Sequence, residues 1–263
     1  MNCGIAEING TQLYYEIHGK GFPLVLVEGL GVATWIWEKQ IPEFSRHFMT
    51  ISYDNRGVGR SAKPAGPYSI SMLTADLLAL LDYLQLNKIH LLGLSMGGLI
   101  AQEFALAHPG RVERLVLAAT THGGSSHIPM AAETLQMLLE SSGNSRAAVR
   151  KRLSLAYSDE FMEKDEMNHL IDLRMADPQP REAFLAQAQA GAAFDRSKDV
   201  QRISAPTLIL SSTGDLIVPY QNAKLLANKI PNSKLIIYNK FGHQFLVENF
   251  AEFNKDVLTF LIQ

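Results

Sequence analysis

A serine with a glycine two residues to either side is the clearest chemical feature of this 263-residue chain. In Gly93-Leu94-Ser95-Met96-Gly97-Gly98 an apolar run beginning at Ile89 ends in Gly-x-Ser-x-Gly, and an Ala-rich helical pattern follows from Leu99 to His108. A chain that passes this sharply from strand to helix holds its serine in a strained conformation, with the hydroxyl lifted clear of the sheet. Side chains at 93 and 97 would collide with neighbouring backbone, which is the reason for glycine at both. The following helix adds a dipole that favours negative charge developing near its start. A Gly-rich turn with a serine helix cap is the plainer reading; the strand before and the helix after favour a nucleophile.

A serine hydroxyl attacks poorly at neutral pH, so a base is needed, and an acid to orient that base. In open α/β sheets the reacting groups gather at the carboxyl ends of strands. Among the eight histidines, His243 meets this condition in Phe241-Gly242-His243, just after the apolar run Leu235–Tyr238. His90 lies inside a strand pattern, His108 at a helix end and His18 at a hairpin end, all structural settings. His122 and His127 follow a strand but precede any candidate acid, so they rank second and are expected to line a pocket. Asp215 follows the run Thr207–Ser211 in Thr213-Gly214-Asp215. Asp54 also ends a strand, yet its Asp-x-Arg-Gly-x-Gly setting suits a carboxylate that fixes a tight loop. The plainer alternatives are that Asp215 caps the next helix and that His243 is a satisfied loop histidine. Attack on a carbonyl also needs backbone N–H groups aimed at the developing oxyanion. Position points to Met96, just after the serine, and to Leu30 in the loop after Val27.

The elements that must hold these groups alternate. Ala6–Ile8 and Gln12–Ile17 flank Asn9-Gly10 and read as a hairpin. Leu24–Val27 is a buried strand, Trp35–His47 a helix and Phe48–Tyr53 a strand. Ser71–Leu86 is an amphipathic helix, and Leu115–Ala119 follows the serine motif as another strand. From Ser125 to Asp199 only helical stretches occur: Leu135–Leu139, Val149–Tyr157, Met167–Met175 and Ala183–Ala193. Alternation resumes with Thr207–Ser211, the helix Gln221–Lys229, Leu235–Tyr238 and a last helix from Glu252 to Leu261. Such alternation predicts an α/β fold with a mainly parallel sheet, interrupted by a helical insertion.

Composition narrows the partners. Hydrophobic content of 47% and charged content of 19% belong to an ordinary globular protein. A net charge of −2 without a basic block argues against nucleic acid or an anionic membrane as partner. The single cysteine, Cys3, excludes an internal disulfide. No signal-peptide pattern and no apolar run of about 20 residues is visible, so a cytoplasmic protein is expected.

The chain resembles the α/β-hydrolase superfamily from end to end, in the subgroup near 3-oxoadipate enol-lactonases, small carboxylesterases and cofactor-free haloperoxidases. The matching pieces are Asp54-Asn55-Arg56-Gly57-Val58-Gly59-Arg60-Ser61, the Ser95 motif, Phe194-Asp195 leading to Ala205-Pro206-Thr207-Leu208, Gly214-Asp215, and Gly242-His243 with Glu248 behind it. The order Ser95, Asp215, His243 is that of this superfamily's triad. The resemblance implies an eight-stranded sheet, a core of 1–122 and 200–263, and a helical lid at 123–199. It also implies hydrolysis of a small carboxylic ester or lactone, with no metal or organic cofactor, by a monomer or small homo-oligomer. Met130, Leu135, Met137, Leu138 and Phe161 are expected to wall the acyl pocket. C–C bond hydrolysis on the same triad stays open as an alternative, as does a slow-turnover ligand receptor. One departure stands out: relatives usually carry His-Gly where this chain has Glu28-Gly29. Arg56 lies just past the neighbouring strand, which predicts an ionised Glu28 paired with the Arg56 guanidinium.

Overall fold

Residues 2–140 and 145–263 are described by a computed structural model. Among them eight strands form one sheet in the order β1-β2-β4-β3-β5-β6-β7-β8. The hairpin of β1 (Asn2–Ile8) and β2 (Thr11–His18) turns at Asn9 and Gly10, whose φ values of 47° and 67° suit a two-residue turn. β2 is also antiparallel to β4 (Met49–Tyr53). From β4 onward the sheet is parallel, through β3 (Pro23–Val27), β5 (Ile89–Leu94), β6 (Val112–Ala118), β7 (Thr207–Ser212) and β8 (Ser233–Tyr238). Every residue of β5 and β7 is buried, as expected of continuous apolar strands covered on both faces.

Helices cover both faces. α1 (Ile41–Phe44), α2 (Ile70–Tyr83) and α3 (Met96–Ala107) precede β6. Between β6 and β7 come α4 (Ala132–Glu140), α5 (Arg146–Leu153), α6 (Asp159–Met162), α7 (Glu166–Ala176) and α8 (Arg181–Ala192). α9 (Gln221–Lys229), α10 (Phe245–Glu248) and α11 (Phe250–Ile262) complete the chain. Successive strand residues point to opposite faces. Val25 and Leu91 therefore join one core with Leu73, Ile100 and Phe104 of α2 and α3, while Leu24 and Leu92 join the other with Phe44, Phe253 and Val257 of α1 and α11.

The helical insertion leaves and re-enters the sheet at one place. Gly123 and Asp195 form an antiparallel bridge, and the Arg196 amide donates to the His122 carbonyl at 2.9 Å. Residues 141–144 of the segment lie outside the described residues. α8 and the turn before it then lean on the loops at the carboxyl ends of β3 and β4. The Gln187 amide nitrogen donates to the Arg56 carbonyl at 2.8 Å, its oxygen accepts from Gly31 N at 3.3 Å, and the Gln179 amide donates to the Gly57 carbonyl at 3.0 Å.

The single helix expected over Trp35–His47 is two short pieces, a 3₁₀ turn at Thr34–Trp37 and then α1. Pro42 explains the break: it offers no N–H and disfavours helical backbone before it, so it serves only in the first turn of a new helix. α2 stops at Tyr83 rather than Leu86 because Gln85 adopts a φ of 58°. The one-turn helices α6 and α10 carry too little periodicity to be read from sequence.

Candidate active site

The β5–α3 junction has the strain that the glycines anticipated. Ser95 adopts φ 55° and ψ −116°, a region that ordinary residues occupy at a cost of about 1–3 kcal/mol. Its neighbours hold it there: the Ser95 amide donates to the Ala118 carbonyl at 2.8 Å, and its carbonyl accepts from Gly98 N at 2.9 Å and from the Thr120 hydroxyl at 2.8 Å. A Cβ on Gly93 would lie 2.3 Å from the Gly97 carbonyl oxygen, and one on Gly97 would lie 2.1 Å from that of Val27. No side chain fits at either place.

At the ends of β7 and β8, Asp215 and His243 come together. His243 Nδ1 is 2.7 Å from Asp215 Oδ2, and both side chains are buried. The other carboxylate oxygen accepts from Ile217 N at 2.9 Å and Val218 N at 2.8 Å, which fixes the acid's orientation. With Nδ1–H engaged, Nε2 is the nitrogen left to accept a proton. The two loops are braced against one another, since the Ser212 hydroxyl donates to the Phe241 carbonyl at 2.6 Å. Glu248 supplies a second brace. It accepts from Gly242 N at 2.8 Å and Ser158 N at 3.1 Å, and bonds the Ser158 hydroxyl, so the turn between α5 and α6 is docked beside His243.

The loop after β3 runs alongside the serine. A Cβ on Gly29 would be 3.1 Å from Ser95 Cβ and 3.6 Å from Ser95 Oγ. Met96 is the first residue of α3, so its amide has no acceptor within that helix. Asp54 accepts from Thr34 N and Arg60 N, each at 2.7 Å, and ties the loops after β3 and β4 as expected of it.

The predicted Glu28–Arg56 pair does not form. The Arg56 guanidinium forks instead onto Asp76 of α2, with Nε–Oδ2 and Nη2–Oδ1 both at 2.8 Å. Glu28 is fully buried, and neither of its carboxylate oxygens has a hydrogen-bond partner among the described residues. Burial, and then the negative charge of Asp54, push its pKa well above the usual carboxylate range. Glu28 therefore favours the neutral acid, the reverse of the expected ionised state. Asp76 won Arg56 because it lies on the buried stripe of α2, where an unpaired carboxylate would be costly.

A family model of the alpha/beta hydrolase fold matches residues 23–250. The chain belongs to the α/β-hydrolase family. It is 31% identical over 258 residues to "Putative carbamate hydrolase RutD" of Stutzerimonas stutzeri (strain A1501), covering 95% of this chain and 97% of that protein. Among solved α/β-hydrolases, the enol-lactonase from Burkholderia xenovorans LB400 superposes with a TM-score of 0.87 at 28% identity, covering 99% of this chain and 100% of that one. Est816, described as an N-acyl homoserine lactone degrading enzyme, gives 0.85 at 29% identity, covering 98% and 100%.

The remaining residues singled out from sequence belong to the helical insertion and its base. His122 is wholly buried at the base of the helical insertion, with Nδ1 2.8 Å from the Gly123 carbonyl oxygen, and burial lowers its pKa. Met130 and Met137 are half-buried, on the approach to α4 and on α4 itself. Leu135 is exposed, and Phe161 is a core residue stacked on Tyr157 with ring centroids 5.2 Å apart. Sequence reasoning missed the anchoring roles of Asp76, Gln187 and Ser158. For Asp76 a signal exists, a lone acid among Leu73, Leu77 and Leu80 on one helical stripe.

Proposed function

We propose that this hydrolase cleaves a carboxylic ester or lactone through an acyl-Ser95 intermediate. The observation that carries this reading is the 2.7 Å contact of His243 with a backbone-fixed Asp215, alongside a serine in a strained strand-to-helix turn. His243 Nε2 takes the hydroxyl proton as Ser95 Oγ attacks the carbonyl carbon, and Asp215 stabilises the imidazolium. The Met96 and Leu30 amides receive the oxyanion. Collapse expels the alkoxide, which takes the proton from His243; water then repeats the sequence on the acyl-enzyme and releases the acid. Every step uses groups of this chain and requires no metal or organic cofactor. A neutral Glu28 supports the scheme, because an anion beside the oxyanion loop would oppose the charge that catalysis creates.

In this reading the helices of 123–199 form a lid on the core of 1–122 and 200–263, supported by the contacts of Gln179 and Gln187 with the loops after β3 and β4. A second substrate class, the carbamates, is favoured by the name of the RutD relative. A carbamate carbonyl lies between nitrogen and oxygen, and the same serine can attack it. A panel of p-nitrophenyl esters, lactones and carbamates separates the two by relative kcat/KM. Covalent labelling by a fluorophosphonate should map to Ser95, and Ser95→Ala should fall to assay background on every substrate while remaining folded. Turnover by Ser95→Ala at the wild-type rate would overturn the mechanism.

A further inference from the structure

Helix α7 presents a buried stripe of Met167, Leu170 and Ile171 to the core. Arg174 falls three and four residues after the last two, so it continues that stripe inward instead of joining the solvent face. Its guanidinium reaches the loop after β3. A Cβ placed on Gly31 would meet Arg174 Nη2 at 3.0 Å, Gln179 Oε1 at 3.1 Å and Phe184 Cδ2 at 3.2 Å, so these side chains converge one residue past Leu30.

Arg174 forms no ion pair or hydrogen bond with the described residues. The acids around it are engaged elsewhere. Asp172 pairs with Arg146, Glu166 lies 3.9 Å from Lys39, and Asp177 lies 3.7 Å from Lys63. The groups that act on Arg174 electrostatically are Arg152, a like charge, and the Tyr157 hydroxyl. Burial, then Arg152, lowers its pKa to about 10, which leaves it charged at neutral pH. Gln179 Oε1 is likewise buried without a donor among the described residues, while its amide nitrogen donates to the Gly57 carbonyl and to Gln187 Oε1. Tyr157 ties this corner to the base, since its Cα would lie 2.7 Å from a Cβ on Gly242, next to His243.

A half-buried guanidinium without an anion is unfavourable for the free protein. Placed between the oxyanion loop and the His243 loop, it suits a ligand that brings the anion. We propose that Arg174 is the anion subsite of this active centre and selects substrates whose acyl portion carries a carboxylate. This rests on the acyl-serine reading above and names the substrate class of the same site. The planar guanidinium fork matches a carboxylate in two parallel hydrogen bonds, and a hydroxyl or N–H next to that carboxylate would satisfy Gln179 Oε1.

The test compares monomethyl succinate, glutarate and adipate with neutral methyl alkanoates of matched length, using wild type and Arg174→Met, with methanol release as the readout. Wild type should prefer at least one carboxylate ester. Arg174→Met should lose about 10- to 100-fold in kcat/KM on it, mainly through KM, and change less than about twofold on the neutral partner. Arg174→Lys should recover part of the loss, and the melting temperature of Arg174→Met should not fall, because an uncompensated charge has been removed. Hydrolysis of the neutral esters without a carboxylate preference, or equal losses on both series with a lower melting temperature, would overturn the anion subsite and leave the esterase reading intact. If wild type hydrolyses neither series, the esterase reading fails, and calorimetric titration with glutarate decides the subsite alone. Binding that disappears in Arg174→Met sustains it, and no binding to wild type overturns it.

Discussion

Glu28 offers a measurement whose sign separates two electrostatic pictures. Its carboxyl is buried with both oxygens unpartnered, and burial followed by the charge of Asp54 raises its pKa well above the ordinary 4.5. The folded protein thus holds this proton more tightly than the unfolded chain does, so folding takes up a proton above pH 4.5. The contribution of Glu28 to stability is most favourable below that value and is lost progressively as pH rises towards the raised value of the folded state. Between pH 5 and pH 7 the unfolded chain gives up this proton more readily than the folded protein does, so wild type loses stability from this group as pH rises. Glu28→Gln removes this dependence while keeping shape and neutrality. Urea unfolding of both proteins at pH 5 and pH 7 isolates the effect, because the other titrating groups are common to the pair. The variant should gain stability relative to wild type over that interval, whatever its offset at pH 5. Parallel stabilities at the two pH values, or a variant that loses ground as pH rises, would refute the neutral acid and restore an ionised, paired Glu28.

Two further substitutions probe the support of His243. Asp215→Asn should keep the fold and lower kcat by about 10⁴-fold with little change in KM, because an amide no longer fixes the Nδ1–H tautomer; a near-wild-type rate would move the acid's role to another carboxylate. Glu248→Ala leaves the Gly242 and Ser158 amides without their acceptor and should cost about 1–3 kcal/mol in urea unfolding, with a lower kcat. Unchanged stability and rate would show that the His243 loop is held by other contacts.

What was legible in the sequence is what short stretches of chain decide for themselves. Gly93 and Gly97 announce the turn at Ser95 because backbone oxygens 2.3 and 2.1 Å from their would-be Cβ atoms exclude any side chain. The buried strands were readable because both faces of a parallel sheet demand continuous apolar runs, and Asp215 and His243 were readable because each follows one of those runs. The break at Pro42 was also written locally, although the apolar spacing around it suggested one longer helix. Tertiary structure decided the partners. Glu28 and Arg56 flank adjacent strands and have opposite charges, yet Asp76 reaches Arg56 from a helix that crosses them, and the carboxyl left behind becomes a neutral acid. Arg174 reads in the sequence as one more surface arginine. Only the docking of α7 and α8 over the strand ends turns it inward beside Gly31. Charge type and helical face can be read residue by residue, but which charge meets which depends on distances between elements far apart in the chain, and those exist only once the sheet and its helices have packed.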